Sequence, residues 1–266
     1  MREYELSAAG QTSVDQFAMG YWVIGLSVGI SILGAVVGLA CLVHAGRSAR
    51  FRLIWLASAA VSIGGIGIWL STSLAMLGLA IPGSPVRYAP LNLVLAMLAS
   101  PLVTFAALLL VGRTFRPPFL LAGGLVMGLG IGLTHFLGVE AVHVQGAVRV
   151  SVWLAIAATV IGVVTAVATL WSFHTQRSVL ARAITVVLFG LGVAATFYTA
   201  LAGLQFDVDR AAKAPTGIEL FDFVFPTFVL GSMALAVPIS AVLIAPDRRE
   251  IAALEGTRAT KMEPAL

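Results

Sequence analysis

The hydrophobic positions of this chain come in long unbroken runs, and the polar positions gather in short clusters between them. Seven runs approach or exceed the roughly 20 apolar residues that a helix needs to cross a bilayer. They fall near Tyr21–Val43, Leu53–Leu77, Leu91–Val111, Phe119–Val139, Val150–Phe173, Ala183–Gly203 and Phe223–Ala245. None shows the two-residue alternation of a membrane barrel strand. Lipid offers the backbone no hydrogen-bond partner, so each run must satisfy its own N–H and C=O groups as a helix. The pattern predicts an all-α polytopic membrane protein with seven transmembrane helices.

Composition agrees with this pattern. Only 11% of the 266 residues are charged and 59% are hydrophobic, whereas a soluble domain carries about 25% charged residues. Mean hydropathy is +1.01. Cys41, the single cysteine, lies inside the first run and excludes an intrachain disulfide framework. The net charge of +4 does not point to nucleic acid, because the basic residues sit in short loops beside the spans. The partner that composition implies is the lipid bilayer.

Loop charge orients the bundle. The loops after spans one, three and five, with the tail, carry Arg47, Arg50, Arg52, Arg113, Arg116, Arg177, Arg182, Arg248, Arg249, Arg258 and Lys261. The opposite side carries Arg2, Arg87, Arg149, Arg210 and Lys213. Eleven against five predicts the amino terminus outside and the carboxyl tail in the cytoplasm of an inner or plasma membrane protein. Trp22 and Trp153 near outer ends, and Trp55 and Trp171 near inner ends, suit interfacial anchors. Three parts are expected: an extracytoplasmic segment over 1–20, a membrane domain over 21–245 and a short flexible tail over 246–266. Glu3, Glu5 and Asp15 against one Arg2 argue against a cleaved leader. The tail is too short for a catalytic domain.

Three segments line up: G67-I-W-L-S-T-S-L-A-M-L, G130-I-G-L-T-H-F-L-G-V-E and G192-V-A-A-T-F-Y-T-A-L-A. Their first glycines are 63 and 62 residues apart, each in the outward half of an even-numbered span. That period fits a unit of two helices, giving three hairpins and a seventh helix left over.

These segments resemble the MHYT domain, a bacterial integral membrane sensory module. Its Met-His-Tyr-Thr-like motif occurs three times, near the outer ends of paired helices. The resemblance covers about residues 20 to 245 and includes helix count, orientation and repeat spacing. At the motif's Met-His positions this chain has Ser71 and Thr72, then Thr134 and His135, then Thr196 and Phe197. Met76, Gly138, Tyr198 and Thr199 keep motif residues, while Phe136 and Val139 replace tyrosine and methionine. The resemblance implies a metal site, copper above all, built from Met and His side chains, and the sensing of oxygen, carbon monoxide or nitric oxide. It also implies a cytoplasmic signalling partner.

His135 is the leading candidate ligand. Gly124, Gly128 and Gly132 form a small-residue ridge three residues behind it, placing it near a buried face. An ionisable residue within a span is a functional hypothesis by default; the plainer reading is a neutral imidazole bonded to Tyr198, Thr199 or Thr72. Met76 offers a soft sulfur, and Met127 lies deeper. Glu140 and His143, one helical turn apart at i and i+3 on the outer rim, either extend the site or mark the end of the span at headgroup level. One straight helix would put His135 and His143 about 12 Å apart along its axis, too far to chelate one ion together. His44 and His174 read as interfacial residues, and Trp69 as a packing residue. The acidic stretch Gln205–Asp222 reads as a solvated loop.

No H-E-x-x-H, nucleophile elbow, phosphate loop or C-x-x-C occurs, so no enzyme is expected. Pro101 and Pro238 could break helices as in transporter sites, yet no acidic or basic residue occupies mid-span. Three functions follow in order: a sensory or regulatory membrane protein with a metal near the outer face; a structural or partner-binding subunit with a decayed site; and a small-solute or proton transporter relaying through His135 and Glu140.

Overall fold

A computed structural model describes residues 18–48, 50–175, 178–209 and 211–244. The expected tail over 246–266, and the expected amino-terminal segment except its last three residues, lie outside the described residues. Seven helices are long and apolar enough to cross a membrane. They are α1 (Trp22–Arg47), α2 (Arg52–Met76), α3 (Pro90–Val111), α4 (Pro117–Glu140), α5 (Val152–Thr175), α6 (Val179–Ala202) and α7 (Leu220–Ile244). Short strands lie between them: β1 (Arg87–Tyr88), β2 (Val142–His143), β3 (Gly146–Val150) and β4 (Leu204–Val208).

Each of α1 to α6 packs on its neighbour in chain order, and α6 returns to α1, so the six close a ring of three hairpins. Helix α7 stands outside the ring against α1 and α2. Small residues fill the seams. The ridge of Gly124, Gly128 and Gly132 lies against Val167, Val163 and Thr159 of α5, and Gly34 of α1 meets the backbone of Ser62 and Gly67. Leu102, Leu188 and Leu230, by contrast, are each more than half exposed. Lipid is as apolar as leucine, so close backbone packing rather than the burial of large side chains holds such a bundle together.

Helix α2 is the most enclosed span, and its middle, Val61–Leu70, is wound wider than an α-helix. The N–H of Ser71, at its end, reaches the carbonyl of Ile66, five residues back. Gly64, Gly65 and Gly67 lie in the widened stretch, and Ser100 of α3 donates a 2.7 Å hydrogen bond to the carbonyl of Gly64. A bond from a neighbouring helix thus supports backbone groups where the regular ladder is disturbed. Neither Pro101 nor Pro238 breaks its helix: α3 and α7 run through them.

The strands correct two expectations. Glu140 ends α4 and His143 belongs to β2, so the two do not share a helix face. The stretch Gln205–Asp222 keeps Asp207, Asp209, Glu219 and Asp222 exposed to solvent as expected, but it is not all loop. Its first part lies in β4, which pairs antiparallel with β3 from Leu204↔Val150 to Val208↔Gly146 and buries Phe206. Ile218 exchanges two 3.0 Å backbone hydrogen bonds with Tyr88, whose strand β1 pairs with β2. Arg87 binds Glu219 at 2.9 Å, and Gln145 donates through its side chain to the carbonyl of Ala212. These loops interlock into a lid over one end of the bundle, opposite the end where the basic loops lie. Tyr88 is buried in the lid, and burial pushes its phenol above the ordinary tyrosine range.

Candidate functional site

Beneath the lid, the ends of α2, α4 and α6 meet around a cavity of about 30 Å³, closed by Leu93 and Ala96 of α3 and Leu204 of β4. A water-sized molecule needs at least about 10–15 Å³ measured this way, so the space suits one or two such molecules and no organic ligand. The three positions aligned with the motif histidine, Thr72, His135 and Phe197, all line it. One helix of each hairpin therefore contributes the same repeat position to a shared interior.

The repeat is visible in bonding as well. Where the motif has methionine, Ser71, Thr134 and Thr196 each donate to the carbonyl four residues back, that of Gly67, Gly130 and Gly192, at 2.7, 2.9 and 2.8 Å. A hydroxyl folded onto its own helix commits its proton to the backbone and keeps only acceptor lone pairs for a ligand. Thr72 does likewise, donating to the carbonyls of Ile68 and Trp69 at 2.9 Å.

His135 is different. The residue is 8% exposed, and its Nε2 is buried with no hydrogen-bond partner in the protein. Of the imidazole that the plainer reading bonds to Tyr198, Thr199 or Thr72, Nε2 makes no such bond. The ring lies 5.9 Å from that of Phe197. A buried polar atom without a partner is costly, and this one belongs to a residue that lines the cavity. The sulfur-bearing side chain of Met76 lines the same cavity, and Sδ lies 3.6 Å from where a Cβ on Gly138 would stand. Gly138 thus leaves room beside the sulfur. Trp69, expected only to pack, also lines the cavity and meets Phe223 of α7 edge-on at 6.1 Å.

The remaining candidates lie elsewhere. Tyr198 is half-buried, with its ring edge-on to Phe197 at 5.0 Å, and Thr199 is half-buried; neither lines the cavity. Glu140 is exposed at the rim. His143 is exposed in the lid and uses Nδ1 on the carbonyl of Thr216 at 3.0 Å, so it does not join His135. Met127 is buried deeper in α4. His44 stacks on Trp55 at 4.7 Å. A second cavity, of about 120 Å³, lies between α4, α5 and α6 and is also lined by His135. Sequence reasoning missed Phe197, Ser73 and Leu93 as lining residues. Repeat alignment signals the first two; nothing in the pattern signals Leu93.

Besides the hydroxyls of Thr72, Ser73 and Thr134, the side chains at the cavity that offer a metal nitrogen or sulfur are His135, whose Nε2 has no partner, and Met76. Among the described residues no three His, Cys, Asp or Glu side chains group to hold a metal. Structural zinc, which takes four ligands, does not fit. Copper(I), which favours thioether and imidazole and accepts few ligands, does.

Residues 65–124 and 128–186 each match the MHYT repeat, described as a bacterial signalling protein N-terminal repeat. This chain carries two tandem MHYT repeats. The two MHYT matches begin 63 residues apart, the same interval that separates Gly67 from Gly130. The third segment, from Gly192, lies beyond both. The chain is also 31% identical over 180 residues to the bifunctional diguanylate cyclase/cyclic di-GMP phosphodiesterase MucR of Pseudomonas aeruginosa. That alignment takes in 64% of this chain and only 26% of MucR, so the chain spans about a quarter of that relative's length. No solved structure matches the chain.

Proposed function

We propose that this MHYT protein is a sensory membrane module that holds copper(I) through His135 and Met76 and detects a diatomic gas such as oxygen, carbon monoxide or nitric oxide. The observation that carries the reading is the buried Nε2 of His135, which has no protein partner and belongs to a residue lining the same cavity as Met76. When bound, copper(I) supplies a soft, electron-rich centre with affinity for small π-accepting gases. Cavity size supports a diatomic ligand over an organic one, and the apolar walls suit a gas that dissolves in the bilayer.

The protein's own contribution is placement. Helices α2, α4 and α6, one from each hairpin, border the cavity, so a change in their spacing reaches every hairpin at once. Such a change carries a signal only if the ligand binds two arrangements of the bundle with different affinity. The module binds and relays, with no catalytic role of its own, and passes the signal to a cytoplasmic partner. The charge asymmetry supports the lid facing outward and the basic end lying in the cytoplasm of the inner membrane.

The test is copper retention. After anaerobic loading with copper(I) and desalting, the wild-type protein is expected to keep about one equivalent. His135→Ala is expected to keep none, and Met76→Leu to lose metal to a weak chelator. A wild-type protein that keeps no copper overturns the proposal and favours a partner-binding subunit with a decayed site. Labelling of cysteines placed at Asp222 and Arg50 in intact cells checks orientation, with only the first expected to react.

A further inference from the structure

The opposite end of the bundle holds a larger cavity, of about 420 Å³, lined by Arg47, Arg52, Arg113, Arg182 and His174. These residues come from four places in the chain: the α1–α2 turn, the residue pair after α3, the last turn of α5 and the first turn of α6. Sequence spacing scatters them over 136 positions, from 47 to 182, and the closed ring of helices brings them together. No carboxylate lines the cavity among the described residues. Arg52, Arg182 and His174 are half-buried, so part of this positive charge is held away from water.

The arginines lie at one level, where their helices end. Arg47 is the last residue of α1, Arg52 the first of α2, and Arg113 follows the end of α3 by two residues. That level is the boundary between the apolar spans and the basic loops. Deeper in, the cavity wall turns apolar, with Leu39, Leu56, Leu108 and Phe173. The volume lies within the range of about 300–1,000 Å³ typical of small-molecule sites. The chemistry is therefore two-zoned. Guanidinium groups suited to a phosphodiester stand above hydrocarbon suited to the glycerol and upper acyl chain of the same molecule.

We propose that this cavity is a binding site for the headgroup of an anionic phospholipid. A soluble phosphate would use the arginines and leave the apolar wall unoccupied; a lipid uses both. Basic pockets between spans near the headgroup level bind anionic lipids on the same physical grounds. The site is separate from His135 and stands whether or not copper binds there.

Native mass spectrometry of the full chain, released from detergent with added phosphatidylglycerol or phosphatidylcholine, tests the assignment. The wild type is expected to retain phosphatidylglycerol selectively. Arg52→Gln with Arg182→Gln should weaken that retention by about thirtyfold, at about a factor of five for each arginine of the cavity lining that meets the phosphate. Should that double variant fail to fold, Arg47→Gln with Arg113→Gln, both exposed, should give a comparable loss. Arg50→Gln with Arg116→Gln removes the same charge from the same end without touching the cavity lining and should leave retention unchanged. Equal retention of the two lipids overturns the proposal, as does an equal loss in the Arg50 and Arg116 variant. Displacement of phosphatidylglycerol by millimolar inorganic phosphate would assign the site to a soluble anion instead.

Discussion

The ring of His135 stands 5.9 Å, centroid to centroid, from the ring of Phe197, and the two residues hold the same place in successive repeats. Phe197 lies where the third motif has histidine, so at that place an apolar ring packs beside the imidazole of His135. Thr72, the equivalent residue in the first repeat, turns its hydroxyl onto its own helix. The three equivalent positions surround one cavity, and His135 is the single imidazole among its lining residues.

Restoring a donor should therefore strengthen the site. Phe197→His puts a second imidazole beside the first, and copper(I) affinity is expected to rise by about tenfold or more, the equivalent of roughly 1.4 kcal/mol. Competition against a chromogenic copper(I) chelator measures it. An unchanged affinity would mean that the two positions do not share a ligand.

The seam between α4 and α5 depends on Gly128. A Cβ there would run into the backbone and side chain of Val163. Gly128→Val is expected to push the helices apart and destabilise the bundle by about 1–3 kcal/mol, read as a lower unfolding midpoint in detergent. Gly25 has open space around it, and the same change there should be nearly silent.

The widened middle of α2 depends on Ser100. Ser100→Ala removes its hydrogen bond to the Gly64 carbonyl, with an expected loss of about 0.6–1.7 kcal/mol. Faster hydrogen exchange through Val61–Leu70 should accompany the loss, and unaltered exchange there would count against a supporting role.

Gly217 in the lid has a φ of +138°, and a Cβ on it would stand 2.5 Å from the Tyr88 carbonyl oxygen. Gly217→Ala is expected to cost about 1–3 kcal/mol locally and to open the Tyr88–Ile218 pairing. Amide exchange at those two residues should rise while exchange in α4 and α5 stays slow.

Alkaline pH should also loosen the lid. Burial raises the pKa of Tyr88 in the folded protein, so above the ordinary value near 10 the unfolded chain binds fewer protons than the folded one. The stability Tyr88 contributes is thus complete below about pH 10 and falls as pH climbs further. Ultraviolet titration should show this phenol ionising later than exposed tyrosine, and Tyr88→Phe should remove the delay.

Much of the fold was legible in the order of residues. The spans predicted near Leu53–Leu77 and Leu91–Val111 differ by a residue or so from α2 and α3, because an apolar run in lipid has one way to satisfy its backbone. The glycine ridge could be assigned to a helix seam for a similar reason: spacing by four keeps residues on one face. The site was half legible. Repeat alignment pointed to His135 and Met76, but reading the three-residue spacing of Glu140 and His143 as a helical turn fails, because the helix stops at Glu140, beside the predicted span end at Val139, and His143 lies in β2.

What the sequence determined alone was local in cause: seven helices, three two-helix units, and a basic end opposite a less basic one. Each follows from the hydropathy, period or charge of neighbouring residues. Tertiary structure decided the rest. It left Nε2 of His135 without a partner, set Phe197 rather than a third ligand beside it, bound the acidic loop into a lid and gathered Arg47, Arg52, Arg113 and Arg182 around one cavity. Those relationships join residues tens of positions apart, and only the closing of the helical ring brings them within reach of one another.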